Sequence, residues 1–231
     1  MSVYTPHLAA IVVLAFLGTI ALLMVCSLVM LTGVLRKSRP VVLGAMTAGL
    51  AILLGYASIL LGLSLLSRDV ALAPGAWKYF CELDCHIAYA IGGMQAAPSV
   101  GPEMHAVTAN GRFAIVQLKT WFDPSTISPY RGNGPLTPNE RTITLLDSRG
   151  RKFLPSTKSD LVLAAVGLHS TPLREALRPG ESYVSYVVFE IPSEAQGLKL
   201  LLTSADREGW LIWGHERSPL HGRAYFTLQG T

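Results

Sequence analysis

The chain has 231 residues, 50% hydrophobic and only 15% charged, with a formal net charge of +4 and a mean hydropathy of +0.40. Soluble domains carry about 25% charged residues, so the deficit points to a membrane. Nucleic acid is set aside as a partner: the only basic run is Arg36-Lys37-Ser38-Arg39, and no basic stripe is interleaved with aromatics.

The apolar excess lies in the first 66 residues. Residues 8–35 contain no ionisable side chain other than Cys26, and residues 41–66 are again uncharged. A helix needs roughly 20 apolar residues to cross about 30 Å of hydrocarbon, so residues 1–68 predict a two-helix transmembrane hairpin. A cleaved signal peptide fits poorly, because the first run is long, lacks a basic leader and is followed by a second span. Three basic residues sit between the spans, which places that loop in the cytoplasm and both ends outside. Cys26 reads as an apolar packing residue. On the second span Gly44, Ala48, Ala51, Gly55, Ser58 and Gly62 recur every three or four residues and share one helix face. Small residues let another backbone approach closely in lipid. Two partners stay open for this face, the first span or a separate membrane-protein subunit.

Residues 69–85 read as a juxtamembrane linker, with Pro74-Gly75 as a turn. Trp77, Tyr79 and Phe80 suit a membrane interface. Residues 86–231 read as a β domain. His86–Ile91 alternates and predicts a first strand, then a Gly- and Pro-containing loop fills 92–109. The strongest strand is Arg112–Phe122, with Ala114, Val116, Leu118, Thr120 and Phe122 on the core face. Residues 123–139 are a long Pro- and Gly-rich loop. Strands follow at 141–146 and 152–154, a short helix within 159–177, then strands at 183–191, 198–203, 210–213 and 223–228. Roughly seven to nine short strands predict an antiparallel sandwich, and about 140 residues suits one such domain.

Leu145-Leu-Asp-Ser-Arg-Gly-Arg-Lys-Phe153, Leu177-Arg-Pro-Gly-Glu-Ser182 and Val188-Phe-Glu-Ile-Pro192 come in that order. Together they resemble a bacterial family of immunoglobulin-like extracytoplasmic domains of unknown function, over about residues 86 to 229. The resemblance implies an immunoglobulin-like β-sandwich outside the cytoplasmic membrane, with binding or scaffolding roles and no catalytic residues to transfer. Members usually start with a lipid-anchored Cys or a signal peptide, and a two-helix anchor departs from that.

Cys81-Glu-Leu-Asp-Cys85-His86 carries the densest potential chemistry. A Cys81–Cys85 disulfide is permitted on the oxidising side of a membrane if the segment turns, since an extended strand separates the two Cα atoms by over about 12 Å. A copper site is the second reading, because thiolate, imidazole and thioether are soft ligands and Met94, Met104 and His105 follow. A binuclear copper centre is disfavoured, because the positions four and seven after Cys85 are Tyr89 and Gly92 rather than His and Met. Covalent haem is the third, since Cys-x3-Cys-His is a longer form of the attachment motif and Met94 or Met104 could be a sixth ligand. Two packing thiols are the fourth.

Asp123, Asp147 and Asp206 stand apart in separate loops, and His215, Glu216, Arg217 and His221 share another. No nucleophile elbow, zinc-protease helix or phosphate loop is present. The expectation is a non-enzymatic accessory protein without a cofactor. Its partners are the lipid bilayer and other membrane subunits. The alternative is a copper or haem redox module at Cys81, Cys85 and His86.

Overall fold

The computed structural model describes residues 6–80, 86–205 and 208–228. They divide into two compact units, a helical one within Thr5–Asp69 and Arg207–Arg223 and a β unit within Val70–Asp206 and Ala224–Thr231.

The uncharged runs form α1 (Pro6–Leu35) and α2 (Arg39–Leu66). Their 30 and 28 residues give about 45 and 42 Å of helix, and both are long and apolar enough to cross a membrane. Several hydroxyls within them bond their own helix: Thr19 donates to the Ala15 carbonyl and Ser27 to that of Leu23, each at 2.8 Å, whereas the buried Ser64 hydroxyl has no partner among the described residues. The turn closes on two backbone bonds, Ser38 N–H to Gly33 O (2.9 Å) and Lys37 N–H to Val34 O (3.0 Å), with Lys37 in the left-handed region at φ 53°. This is a Schellman cap. Gly33 is buried there, and a Cβ on it would sit 3.0 Å from both Val41 Cγ1 and Val42 Cγ2.

Val42, Ala45, Gly49, Ile52 and Tyr56 are covered along one line of α2, and Leu60, Gly62 and Ser64 are covered nearer its end. A Cβ on Gly49 would lie 3.8 Å from that of Cys26. Gly44, Ala48, Ala51, Gly55 and Ser58 are exposed. Gly44, Gly55 and Gly62 have nothing within 4 Å of an added Cβ. Five of the six small residues thus lie at exposed positions of α2, and Gly62 is half-buried. At about 100° per residue the two faces lie roughly a third of a turn apart.

The β unit begins earlier than expected. β1 (Val70–Leu72) and β2 (Lys78–Phe80) fall in the stretch read as a linker. β3 (Ile87–Val100) and β4 (Val107–Phe122) form a long hairpin, so most of the expected loop at 92–109 is strand. β5 (Arg141–Leu146), β6 (Lys152–Phe153), the short helix α3 (Ser159–Ala165), β7 (Ser182–Ile191), β8 (Lys199–Ser204) and β9 (Ala224–Thr227) follow near their expected places. Residues 210–213 are not a strand: Glu208–Leu211 is a 3-10 turn that belongs to the helical unit.

Nine strands among the described residues make two sheets, ordered β1-β9-β8-β5-β6 and β2-β3-β4-β7. All pairings are antiparallel except β1 with β9. One core joins the sheets: Ile143, Leu145, Leu200, Leu202 and Phe226 from the first meet Tyr89, Val116, Leu118, Phe122 and Phe189 from the second. The β4 alternation holds, with Ala114, Val116, Leu118 and Phe122 in that core. The opposite face is not simply solvated, because Phe113 and Ile115 join Val188 and the α3 residues Val162 and Leu163 in a second cluster.

Between Ala97↔Phe113 and Ser99↔Thr108 the register shifts, and Gly111 lies within the shift at φ +130°, where a Cβ would collide with the Ile191 carbonyl oxygen. Gly150, at φ +76°, faces open space. Gly111→Ala is expected to cost about 2 kcal/mol or more and Gly150→Ala about 1 kcal/mol, read by denaturant unfolding of the full chain in mild detergent. Equal costs would contradict this account of Gly111.

Candidate functional site

The best-defined polar cluster in the β unit is assembled where β2, the start of β3 and the end of β4 meet. Tyr79↔Ala88 and Ala88↔Trp121 are paired positions, so the three strands bring Tyr79 and His86 beside the residue that leaves β4, Asp123. The Asp123 side chain accepts the Tyr79 hydroxyl at 2.6 Å, the Ser125 amide at 2.8 Å and the Ser125 hydroxyl at 2.7 Å. Asp123 is buried and caps the 3-10 turn Pro124–Thr126. Its backbone amide donates to the His86 carbonyl at 2.9 Å.

His86 is fixed by the same turn. Its Nδ1 lies 2.7 Å from Thr126 Oγ1, and Thr126 spends its one hydroxyl hydrogen on the Asp123 carbonyl at 2.9 Å. Nδ1 is therefore the donor in that contact. The imidazole stacks on Phe122, with centroids 5.7 Å apart and planes at 15°. The Arg131 guanidinium sits 4.7 Å from the same ring and donates to the Gly134 carbonyl at 2.9 Å. These contacts fold part of the 123–139 loop back on the strand end, while Tyr130 is fully exposed.

The electrostatics make this a lock rather than an acid–base pair. Burial raises the Asp123 pKa, but the bonds from Tyr79 and Ser125 and the nearby His86 outweigh it and hold the carboxyl below its ordinary value. Burial first, then the bond to Asp123 and its charge, push the Tyr79 phenol up to about 12. At neutral pH the carboxylate stays charged and the phenol stays protonated.

Next to this lock two cations lie inside the sandwich. The Lys78 ammonium donates to the Leu202 carbonyl at 2.7 Å and that of Ala224 at 3.4 Å and stands 5.0 Å from the Phe80 ring. The Arg141 guanidinium lies 4.2 Å from the Phe80 ring and 5.6 Å from that of Tyr89. Phe80 is buried and meets Tyr89 edge-on at 5.5 Å. Trp77 packs on Trp121 at 5.2 Å. The three aromatics expected at a membrane interface are thus engaged inside the β unit.

The metal-ligand candidates do not converge. Cys81 and Cys85 lie outside the described residues. Met94 is buried in the sandwich core, eight residues along β3 from His86, roughly 25 Å at strand spacing. Met104 is 89% exposed beyond the far end of β3, and His105 closes the 3-10 turn Glu103–His105. Among the described residues no three His, Cys, Asp or Glu side chains group as a metal site.

Asp123 is the residue that sequence reasoning passed over as an isolated loop carboxylate. The signal was local: Asp-Pro-Ser-Thr directly after a strand is an Asx-type turn that caps its own backbone. Asp123→Asn is expected to lose about 1.5–3 kcal/mol at pH 7, the range for hydrogen bonds to a charged group. Because the folded-state pKa is depressed, that contribution is complete above the unfolded value of about 3.9 and drains away as pH falls through the folded one. Thermal unfolding of both proteins should therefore show a gap at pH 7 that closes in acid. A gap unchanged by acid would contradict the charged lock.

No family model matches the sequence, and no curated protein matches it. Among solved structures the chain is similar to a secreted protein from Mycobacterium tuberculosis, MPT63, at 8% identity over 69% of this chain and 98% of that one, with TM-score 0.43. It is similar to the yjhA protein from Bacillus subtilis at 12% identity over 70% and 99%, TM-score 0.41. A conserved hypothetical protein from Bacillus anthracis shows 13% identity over 51% and 82%, TM-score 0.39. Likenesses this loose carry no argument about family or function, which rests on the residues above.

Proposed function

We propose that this chain is a non-enzymatic, membrane-anchored accessory protein. Its hairpin crosses a bacterial cytoplasmic membrane and presents an immunoglobulin-like domain on the outer side, for protein–protein contacts within a membrane complex. The observation that carries the reading is the second helix. Its close-approach face, Gly44, Ala48, Ala51, Gly55 and Ser58, is exposed, while α1 packs on a different line of residues. Small residues are the usual contact surface between helices in lipid, so a helix of another subunit fits this face. The basic turn Arg36-Lys37-Ser38-Arg39 supports the orientation. The immunoglobulin-like reading draws support from strand order: β3-β4-β7 corresponds to A-B-E and β9-β8-β5 to G-F-C, with α3 standing in the chain where strand D would be.

A redox module at Cys81, Cys85 and His86, holding copper or haem, is the second reading. The observation in its favour is the Nδ1 bond from His86 to Thr126. Metal-ligating histidines are commonly oriented through such a bond from the other nitrogen. Metal analysis and an absorption spectrum separate the two, since stoichiometric copper or a Soret band lost on Cys81→Ser overturns the first.

Native purification in mild detergent tests the docking face. Ala51→Leu with Gly55→Leu is expected to abolish co-purification of a partner chain while leaving thermal unfolding of the hairpin unchanged. Gly49→Leu, which meets Cys26, is expected to disturb the hairpin itself. Retained partner with the double substitution would contradict the docking role.

A further inference from the structure

The connection between β8 and β9 does not stay with the sheet it links, for residues 208–223 pack with the helices. Its returning arm is pinned at the end of α2: Ser67 Oγ accepts the Gly222 amide at 2.6 Å, and Asp69 Oδ1 accepts the Arg223 amide at 2.9 Å. Its outgoing arm is held deeper. The Tyr56 hydroxyl donates to the Leu211 carbonyl, and the Tyr56 ring lies 4.8 Å from Trp213 and 6.3 Å from Phe16. From Ser67 back to Tyr56 is eleven residues, about 16 Å of helix. The segment therefore descends beside α2 by about three turns.

That depth lies within the hydrocarbon if the hairpin spans. Counting about 20 residues for about 30 Å from Val41, just past the basic turn, puts the outer boundary near Leu60. Tyr56 is on the lipid side of it. Non-helical backbone is tolerated at such depth only if its polar groups are satisfied, and part of this segment's backbone is bonded within itself, although the buried Trp213 Nε1 has no partner among the described residues. Successive turns run Ile212 N–H to Gly209 O, His215 N–H to Ile212 O, Ser218 N–H to His215 O and His221 N–H to Ser218 O, at 2.8 to 3.2 Å. The buried Ser218 hydroxyl also takes the Ile212 carbonyl at 2.6 Å. At the deep end Trp210 and Leu211 are 53% and 55% exposed. A large aromatic and a leucine turned outward beside the lipid-facing leucines of α2 match an acyl-chain boundary and not water.

We infer that residues 208–221 are a third membrane element, a re-entrant anchor that sinks Trp210 and Leu211 into the outer leaflet of a phospholipid bilayer beside Tyr56. The inference rests on the spanning-hairpin reading, and the test separates the two. In vesicles, the full chain with Trp77, Trp121 and Trp213 changed to Phe reports from Trp210. A second chain, with all four tryptophans changed to Phe and Leu50→Trp added, reports from the middle of α2. Trp210 emission is expected to be blue-shifted, strongly quenched by lipids brominated high on the acyl chain, and little affected by aqueous iodide. Leu50→Trp should be quenched best by lipids brominated near the chain ends. Quenching of Leu50→Trp with iodide-accessible, lipid-insensitive Trp210 overturns the anchor alone. Quenching of neither overturns the hairpin reading and the anchor with it. The unsubstituted protein offers a second readout with photoactivatable phospholipid: adducts on the peptide holding Trp210 and Leu211 support the anchor, and adducts confined to α1 and α2 overturn it.

Discussion

Burial of apolar surface organises both units, and it runs in opposite senses. In the β unit the large side chains point inward, so that Phe122, Phe189, Phe226, Leu118 and Leu200 are fully buried. In the helical unit they point outward, as Leu14, Leu28, Leu43, Leu54 and Leu65 do. Each large apolar side chain left in water costs about 1.5–3 kcal/mol, so the helices require a surrounding that is itself apolar. A bilayer would meet that requirement, and the helices' length suits one.

This inversion explains why the small residues of α2 matter. Where the surrounding medium is as apolar as leucine, burial of leucine gives no drive for helices to associate, and close backbone approach does. Gly49 is used that way within the hairpin, against Cys26. Gly44, Ala48, Ala51, Gly55 and Ser58 form a second row of small residues on the same helix, exposed to its surroundings.

Much of this was legible from residue pattern. The two long apolar helices and the Arg112–Phe122 alternation read directly, because each is a long run with one pattern. The short strands β1 and β2 did not, since three residues carry no period and their pairing partners lie far away in sequence. Trp210–Trp213 looked like a strand by composition, yet its carbonyls and rings find α2 instead, a tertiary preference that local propensity cannot encode. At the candidate site, His86 was visible through its neighbours Cys81 and Cys85, whereas Asp123 was hidden. Its role depends on Tyr79, 44 residues away, and only the β2-β3-β4 pairing brings them together. Met94 had the right chemistry for a ligand but the wrong parity, because the core face of β3 claims it.

The central claim is a spanning hairpin with its turn inside and its β unit outside. Cysteine accessibility in intact cells tests it most directly, with Cys26, Cys81 and Cys85 changed to Ser and one new thiol at a time, Lys37→Cys in the turn or Ser148→Cys in the β5–β6 hairpin. A membrane-impermeant maleimide is predicted to label Ser148→Cys in intact cells and Lys37→Cys only after the membrane is opened. Labelling of Lys37→Cys in intact cells, or release of the protein by alkaline carbonate, would contradict the account.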